Sequence, residues 1–574
     1  MRRKVRIVAL LICLAMLVTA FASCGINMND RPSGPSSVTS EPLESSSAHD
    51  PDDENYYVYE ILYPSVSVSS LKVDITEKKL EEFKIKLALV KRLFNEGEKG
   101  TENKFKNELY KLLSLEAAME TQCDTAHLLY YYDTQSSNAW SDYAYAYDLY
   151  DEANDLLWDF YNEYREKSGS FADVLNDVFD KEFTSTVPVS EYSDYYADEM
   201  KALEGEYNSL VNSGSRDEKK IFGVLKDYLA AAKGFAVAGK AENYYEYASK
   251  YTYGRTDTAE QRERFREYTK EILVPLYKEL DQKSLEFNDS LSFFEYNRTN
   301  RYLQEKYDSF GEDYLFEYFD SLPESSGKAM REAFEKDRIL IGDKKGSYNT
   351  AMVISLGNTP ICYFDKDDMT LETMSHELGH YYAHVAPGNA YYASLYSCAL
   401  QETHSGTNTL LLFSFLSDKL DSKAIRAAEL CIVCNSLYTV VMGVIRDEFD
   451  EIVFTSDPST LTIEELKSIM SGLIDEYGIG DMSGNATDNL MSYWKRLIIL
   501  YSMRNYCYSA ANLAALQIYT KSKDDYAAAC EIYKKIVEEP ENRGSFNATV
   551  VKAGLTTPYA EKTYIELQKL AEIE

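Results

Sequence analysis

The stretch Met374-Ser375-His376-Glu377-Leu378-Gly379-His380-Tyr381-Tyr382-Ala383-His384 reads as a helix able to carry a metal ion. His376 and His380 are four residues apart, so a 3.6-residue period sets both imidazoles on one face, one turn apart. Glu377 lies beside the first histidine, where its carboxylate can reach a water next to the ion rather than the ion itself, the place of a general base. Zinc suits two imidazoles and lowers the pKa of a water at such a site to about 7.

A catalytic zinc site normally takes three protein ligands. His384 continues the stripe but lies eight residues from His376, about 12 Å along the axis, too far to share an ion with bonds of about 2 Å. Two candidates remain on a second apolar run, predicted as a helix from Tyr391 to Leu416: Glu402, and His404 two residues further on and so roughly on the opposite face. Pro387-Gly388-Asn389 supplies the break that lets this helix fold back beside the first. Upstream, Ala351 to Leu356 and Pro360 to Phe364 read as short strands, and a strand edge beside the helix can hold an extended peptide backbone. The acids between Asp365 and Asp368 are expected to cap the positive end of the metal helix.

The chain has 574 residues, 45% hydrophobic and 27% charged, enough for a large core divided between lobes. Its start, Met1-Arg2-Arg3-Lys4-Val5-Arg6, is basic and leads into an apolar run from Ile7 to Phe21, the pattern of a secretory signal. The small pair Ala22-Ser23 before Cys24 resembles a bacterial lipoprotein box, which implies cleavage before Cys24 and lipid on its thiol. Residues 1–23 are therefore expected to be removed, and 24–55, rich in Ser, Pro, Asp and Glu, to act as a disordered tether. The expected localisation is the outer face of the bacterial cytoplasmic membrane, or the periplasm, with the membrane reached through the lipid on Cys24.

Loss of four positive charges with the signal takes the net charge from −34 to −38. Such an acidic body is repelled by nucleic acid and by anionic lipid, so neither is an expected partner. Seven cysteines remain, an odd number scattered through apolar helices, which does not describe a disulfide framework; Cys431 and Cys434 read as core packing.

From 56 to 337 the pattern is one amphipathic helix after another, including Glu77 to Asn95, Thr101 to Glu120, Trp140 to Glu166, Ser190 to Ser213, Asp217 to Gly234 and Thr258 to Phe287. This predicts an N-terminal helical lobe, with the catalytic region in 338–574. Tyrosine is abundant, 49 against 24 Phe, and is expected to pack at the edges of the helical core.

The run from Lys344-Lys345-Gly346-Ser347-Tyr348 through the strands and Met369-Thr370-Leu371 to His376-Glu377-Leu378-Gly379-His380, and on to Glu402-Thr403-His404-Ser405, resembles the oligoendopeptidase F and thimet oligopeptidase family of zinc peptidases. Tyr501 to Ala511 and Gly554-Leu555-Thr556-Thr557-Pro558-Tyr559 are similar to that family's tyrosine-bearing helix and closing segment. The resemblance implies a mainly α, two-lobed metallopeptidase with a deep central cleft and a small β-sheet beside the zinc helix. It implies a Zn2+ cofactor held by His376, His380 and Glu402, Glu377 as general base, Tyr506 as oxyanion donor with Tyr508 or Arg504 as further candidates, and short peptides as substrates of an expected monomer. The chain departs from the family in having no histidine after His404, where the family keeps one to support the oxyanion. A peptidase-like lipoprotein that binds peptides or zinc with little turnover is the alternative, and a structural lipoprotein of helical repeats the more distant one.

Overall fold

The computed structural model describes residues 71–572 except 135, 166, 183–190, 213–216, 305–308, 343–350, 357–358, 367–368, 387–396, 421, 482–485, 499–502 and 541–544. The expected signal, the lipid-bearing Cys24, the tether, the Gly346-Tyr348 turn and the Pro387-Gly388-Asn389 break lie outside the described residues.

The architecture is mainly α, with one small sheet. The N-terminal helices fall within a few residues of their predicted ends, for example Glu77–Glu96 and Glu191–Asn212, but the second extends to Tyr132, well past Glu120. The long run Thr258 to Phe287 is interrupted: Ala259–Tyr268 passes through a π-helical turn, Thr269–Leu273, into Val274–Asp289. Pro275 has no N–H to give to the preceding turn, and a wider turn just before it absorbs the lost bond.

The sheet has order β1-β3-β2, where β1 is Ile339–Gly342, β2 is Ala351–Leu356 and β3 is Thr359–Asp365. β2 and β3 match the predicted strands; β1 was missed, being only four residues long. β3 is central, parallel to β1 and antiparallel to β2, and every residue in it is buried, as its unbroken apolar run requires. Pro360 is tolerated because β1 pairs with β3 only from Cys362 onward, leaving no partner there for the missing N–H. One face of the sheet, with Met352, Ile354, Ile361 and Tyr363, packs on Leu128 and Tyr131 at the end of the helix Glu102–Tyr132, and the Tyr363 hydroxyl donates to the Tyr131 carbonyl at 3.0 Å. The other face, with Val353, Cys362 and Phe364, joins Met374 and Leu378 of the helix Leu371–Val385.

The division of the core differs from the division expected at residue 338. Ile75 to Phe179 has its own apolar cluster, whereas helices from Met200 onward share one large core with the region up to Leu570. Through this core runs Lys423–Thr455, 33 residues long. It is the one described helix long and apolar enough to cross a membrane, yet 72% of its apolar window is buried inside the protein, as expected of a helix apolar on all sides within a large core. Cys431 and Cys434 lie on it, and all seven described cysteines are free. Many tyrosines are central rather than peripheral: Tyr245, Tyr318, Tyr382 and Tyr519 are at most 1% exposed and donate to Asp447, Asn408, Glu538 and Glu429. The extra hydroxyl makes each ring an internal tie between helices.

Candidate metal centre

Leu371–Val385 is the helix expected around His376, and its cap is Thr370, whose side chain accepts the Thr373 N–H at 3.2 Å. Asp365, expected to cap it, instead ends β3, and Asp367 and Asp368 lie outside the described residues. Cys398–Leu420 is the second helix. Its close approach to the first depends on Gly379, where an added Cβ would stand 2.6 Å from the His404 carbonyl oxygen and 2.7 Å from Ser405 Cα. Asn408 Nδ2 donates to the Ser375 carbonyl at 2.6 Å and fixes the register of the crossing.

This crossing brings His376, His380 and Glu402 together, with one ligand atom from each within 4.8 Å of the others. Oε2 of Glu402 lies 3.6 Å from Nε2 of His376 and 3.9 Å from Nε2 of His380. Tetrahedral zinc with bonds of about 2.0–2.1 Å holds its ligand atoms about 3.3 Å apart, so these atoms need only a small contraction. Burial, with the neighbouring charge of His380, pulls the His376 pKa down to about 4. Burial, with Arg504, does the same to His380. Both rings are thus neutral at pH 7, the form in which an imidazole ligates a cation. The donor set of two neutral imidazoles and one carboxylate fits zinc.

Glu377 is buried, its Oε2 has no hydrogen-bond partner, and burial followed by the charge of Glu402 raises its pKa well above the usual range. His384 is turned away to the sheet, its Nδ1 2.8 Å from Ser355 Oγ of β2. His404 is 1% exposed, outside the ligand group, and neither ring nitrogen has a partner. Burial lowers its pKa to about 3.

The helix Arg504–Asp524 completes the surroundings. Arg504 Nη2 donates to Glu402 Oε1 at 3.1 Å and its Nε to Cys398 Sγ at 3.4 Å, while the guanidinium lies 4.9 Å from the Tyr508 ring centre. Tyr508 follows Arg504 by four residues and shares its face, and its hydroxyl is buried without a partner. Tyr506 falls about 200° around the helix from Arg504 and occupies a different cluster. Its hydroxyl pairs with that of Tyr559, its ring lies 3.7 Å from the Arg255 guanidinium, and it lines a small cavity with Tyr253, Asp257 and Asn547. Of the two tyrosines expected as oxyanion donors, Tyr508 therefore lies on the Arg504 side of the helix and Tyr506 in the Arg255–Tyr559 cluster.

The start of this helix is pinned by residues that the sequence reading did not single out. Met503, its N-cap, has φ 69°, rare for a side chain of that size, and its N–H donates to Asp450 Oδ2 at 2.8 Å. The Tyr493 hydroxyl donates to the same carboxylate at 3.0 Å and accepts from Asn505 Nδ2 at 2.8 Å. One turn earlier, Asp447 accepts from Arg255 Nη1 at 2.7 Å and from Tyr245. Only their setting in a long apolar run hinted at these two acids.

No protein-family model and no curated protein matches the chain. Solved structures do: PZ peptidase A in complex with an inhibitor, TM-score 0.67 at 16% identity over 88% of this chain and 98% of that one. A protein of Bacillus anthracis str. Ames assigned as oligoendopeptidase F gives 0.65 at 15% identity over 88% and 97%, and another protein so assigned 0.65 at 16% over 88% and 98%. At such identity the likeness is one of architecture, spanning nearly the whole of each relative, and on it the chain has the oligoendopeptidase F fold.

Proposed function

We propose that the protein is a zinc-dependent oligopeptidase, hydrolysing short peptides outside the cytoplasmic membrane to which its N-terminus is anchored. The convergence of His376 Nε2, His380 Nε2 and Glu402 Oε2 beside the buried carboxylate of Glu377, whose Oε2 has no hydrogen-bond partner, carries this reading. The three ligands would hold the ion, which supplies Lewis-acid polarisation of a carbonyl and of water near neutral pH. Glu377, buried next to His376, takes the proton of the attacking water and delivers it to the leaving amine. The Tyr508 hydroxyl is the available donor to the developing oxyanion. β2, which pairs with β3 alone among the described strands and meets the metal helix at Ser355, supports binding of an extended backbone.

The test is cleavage of a quenched fluorescent peptide library by purified protein, with and without a chelator. Chelator-sensitive cleavage that falls about 10²–10⁴-fold in Glu377→Gln supports the enzyme. The absence of any histidine after His404 favours a second reading, a peptide- or zinc-binding lipoprotein; one zinc per chain with no peptide cleaved supports that instead.

A further inference from the structure

Glu402 divides its two oxygens between two cations. Oε2 faces the histidines at 3.6 and 3.9 Å, and Oε1 accepts from Arg504 Nη2 at 3.1 Å. The Arg504 and Glu402 side chains are only 4% and 8% exposed, so the pair interacts with little solvent screening. Arg504 has little freedom to leave: Cys398 accepts from its Nε, and its backbone begins a helix whose preceding residue is fastened to Asp450. A guanidinium held this close repels a divalent cation that uses the same carboxylate, and so weakens the binding of the ion. Its placement makes physical sense for the protein before the ion arrives, when the guanidinium supplies the positive partner that a buried carboxylate needs.

We propose that Arg504 is the internal counter-ion of the metal-free centre, a positioning residue that keeps Glu402 in the ligand position until a cation binds. This rests on the reading of His376, His380 and Glu402 as a metal centre. It trades affinity for a folded, ready site, and it predicts opposite effects on the two states of the protein.

The test uses the full chain, stripped of metal and titrated with zinc alone, reading the thermal midpoint and the zinc affinity by chelator competition. Arg504→Met is expected to lower the midpoint of the metal-free protein and to bind zinc about tenfold or more tightly than the wild type, because the ion then relieves a bare carboxylate. Zinc affinity that is unchanged or weaker in Arg504→Met overturns the proposal. Should Arg504→Met not fold without metal, the double variant Arg504→Met/Glu402→Gln decides: folding of the double variant supports the counter-ion role, and its failure overturns it. A wild-type protein whose midpoint does not respond to zinc overturns the metal-centre reading itself, and the counter-ion with it; a zinc response in the wild type with no difference in Arg504→Met overturns the counter-ion alone.

Discussion

Tyr506 and Tyr508 are two residues apart on one helix and have unrelated surroundings. Tyr508 shares the Arg504 side of the helix beside Glu402, while Tyr506 is engaged by Tyr559 and Arg255. Tyr508→Phe is therefore expected to lower kcat by about 10²–10³-fold with little change in KM, and Tyr506→Phe to leave kcat near the wild-type value. Equal losses in both variants would contradict the assignment. Both tyrosines are candidates from the sequence, since motif register alone does not say which side of a helix faces Glu402.

Asp450 offers a second measurement. Burial pushes its carboxyl up to about 8, against the opposing bond from Met503 N–H and with some help from the charge of Asp447. The folded state thus keeps a proton that the unfolded chain releases above about pH 4. This contribution to stability is full below the unfolded pKa, declines as pH rises toward 8 and is flat beyond. The decline is at most about 1.4 kcal/mol per pH unit. Asp450→Asn mimics the protonated form, and denaturant midpoints between pH 6 and 9 are expected to slope less than in the wild type. Parallel slopes would remove Asp450 as the cause.

At the scale of elements, two glycines set two crossings. Gly379 lets the His376 and Glu402 helices touch backbone to backbone. Gly443 of Lys423–Thr455 does the same for the Arg504 helix: an added Cβ would meet Ser509 Oγ and would stand 2.7 Å from the Asn505 carbonyl oxygen. Because backbone atoms block both positions, Gly379→Ala and Gly443→Ala are each expected to destabilise by about 1–3 kcal/mol. Gly379→Ala should also weaken zinc binding by moving Glu402 away from the histidines. A denaturation series with and without zinc checks both, and a neutral Gly379→Ala would show that the helices separate without strain. Helix existence and the strands β2 and β3 were legible because apolar periodicity states them directly. β1 was too short to register, and the π turn at Thr269–Leu273 was hidden because a periodic pattern runs on across Pro275.

For the whole molecule, the separate core of Ile75 to Phe179 and the large core from Met200 to Leu570 predict unequal responses to metal. Calorimetry is expected to show that chelation lowers the transition of the large core, where the proposed ligands lie, and leaves that of the N-terminal cluster in place. A uniform shift would mean that the two unfold as one unit. This division of the core is not legible from the sequence, where the pattern changes from helices to strands near 338, because helical patterning reveals which faces are apolar but not which helices meet. The tie from the Tyr363 hydroxyl to the Tyr131 carbonyl, which joins the N-terminal helices to the sheet, connects residues 232 positions apart and leaves no local trace.

The helix Lys423–Thr455 is hydrophobic enough to be taken for a membrane anchor, yet it belongs in the protein interior. For a chain threaded unfolded through a translocation channel, as proposed from its N-terminus, that is a hazard, since the channel senses hydrophobicity before any tertiary partner exists. Arg446, Asp447, Glu448, Asp450 and Glu451 follow the apolar part immediately, so any membrane register that ran past Ile445 would draw charge into hydrocarbon, where one such side chain costs about 2.5–3.5 kcal/mol at mid-bilayer. If the proposed export holds, the acids that later fasten Met503 and Arg255 would first limit how much of the segment lipid could accept.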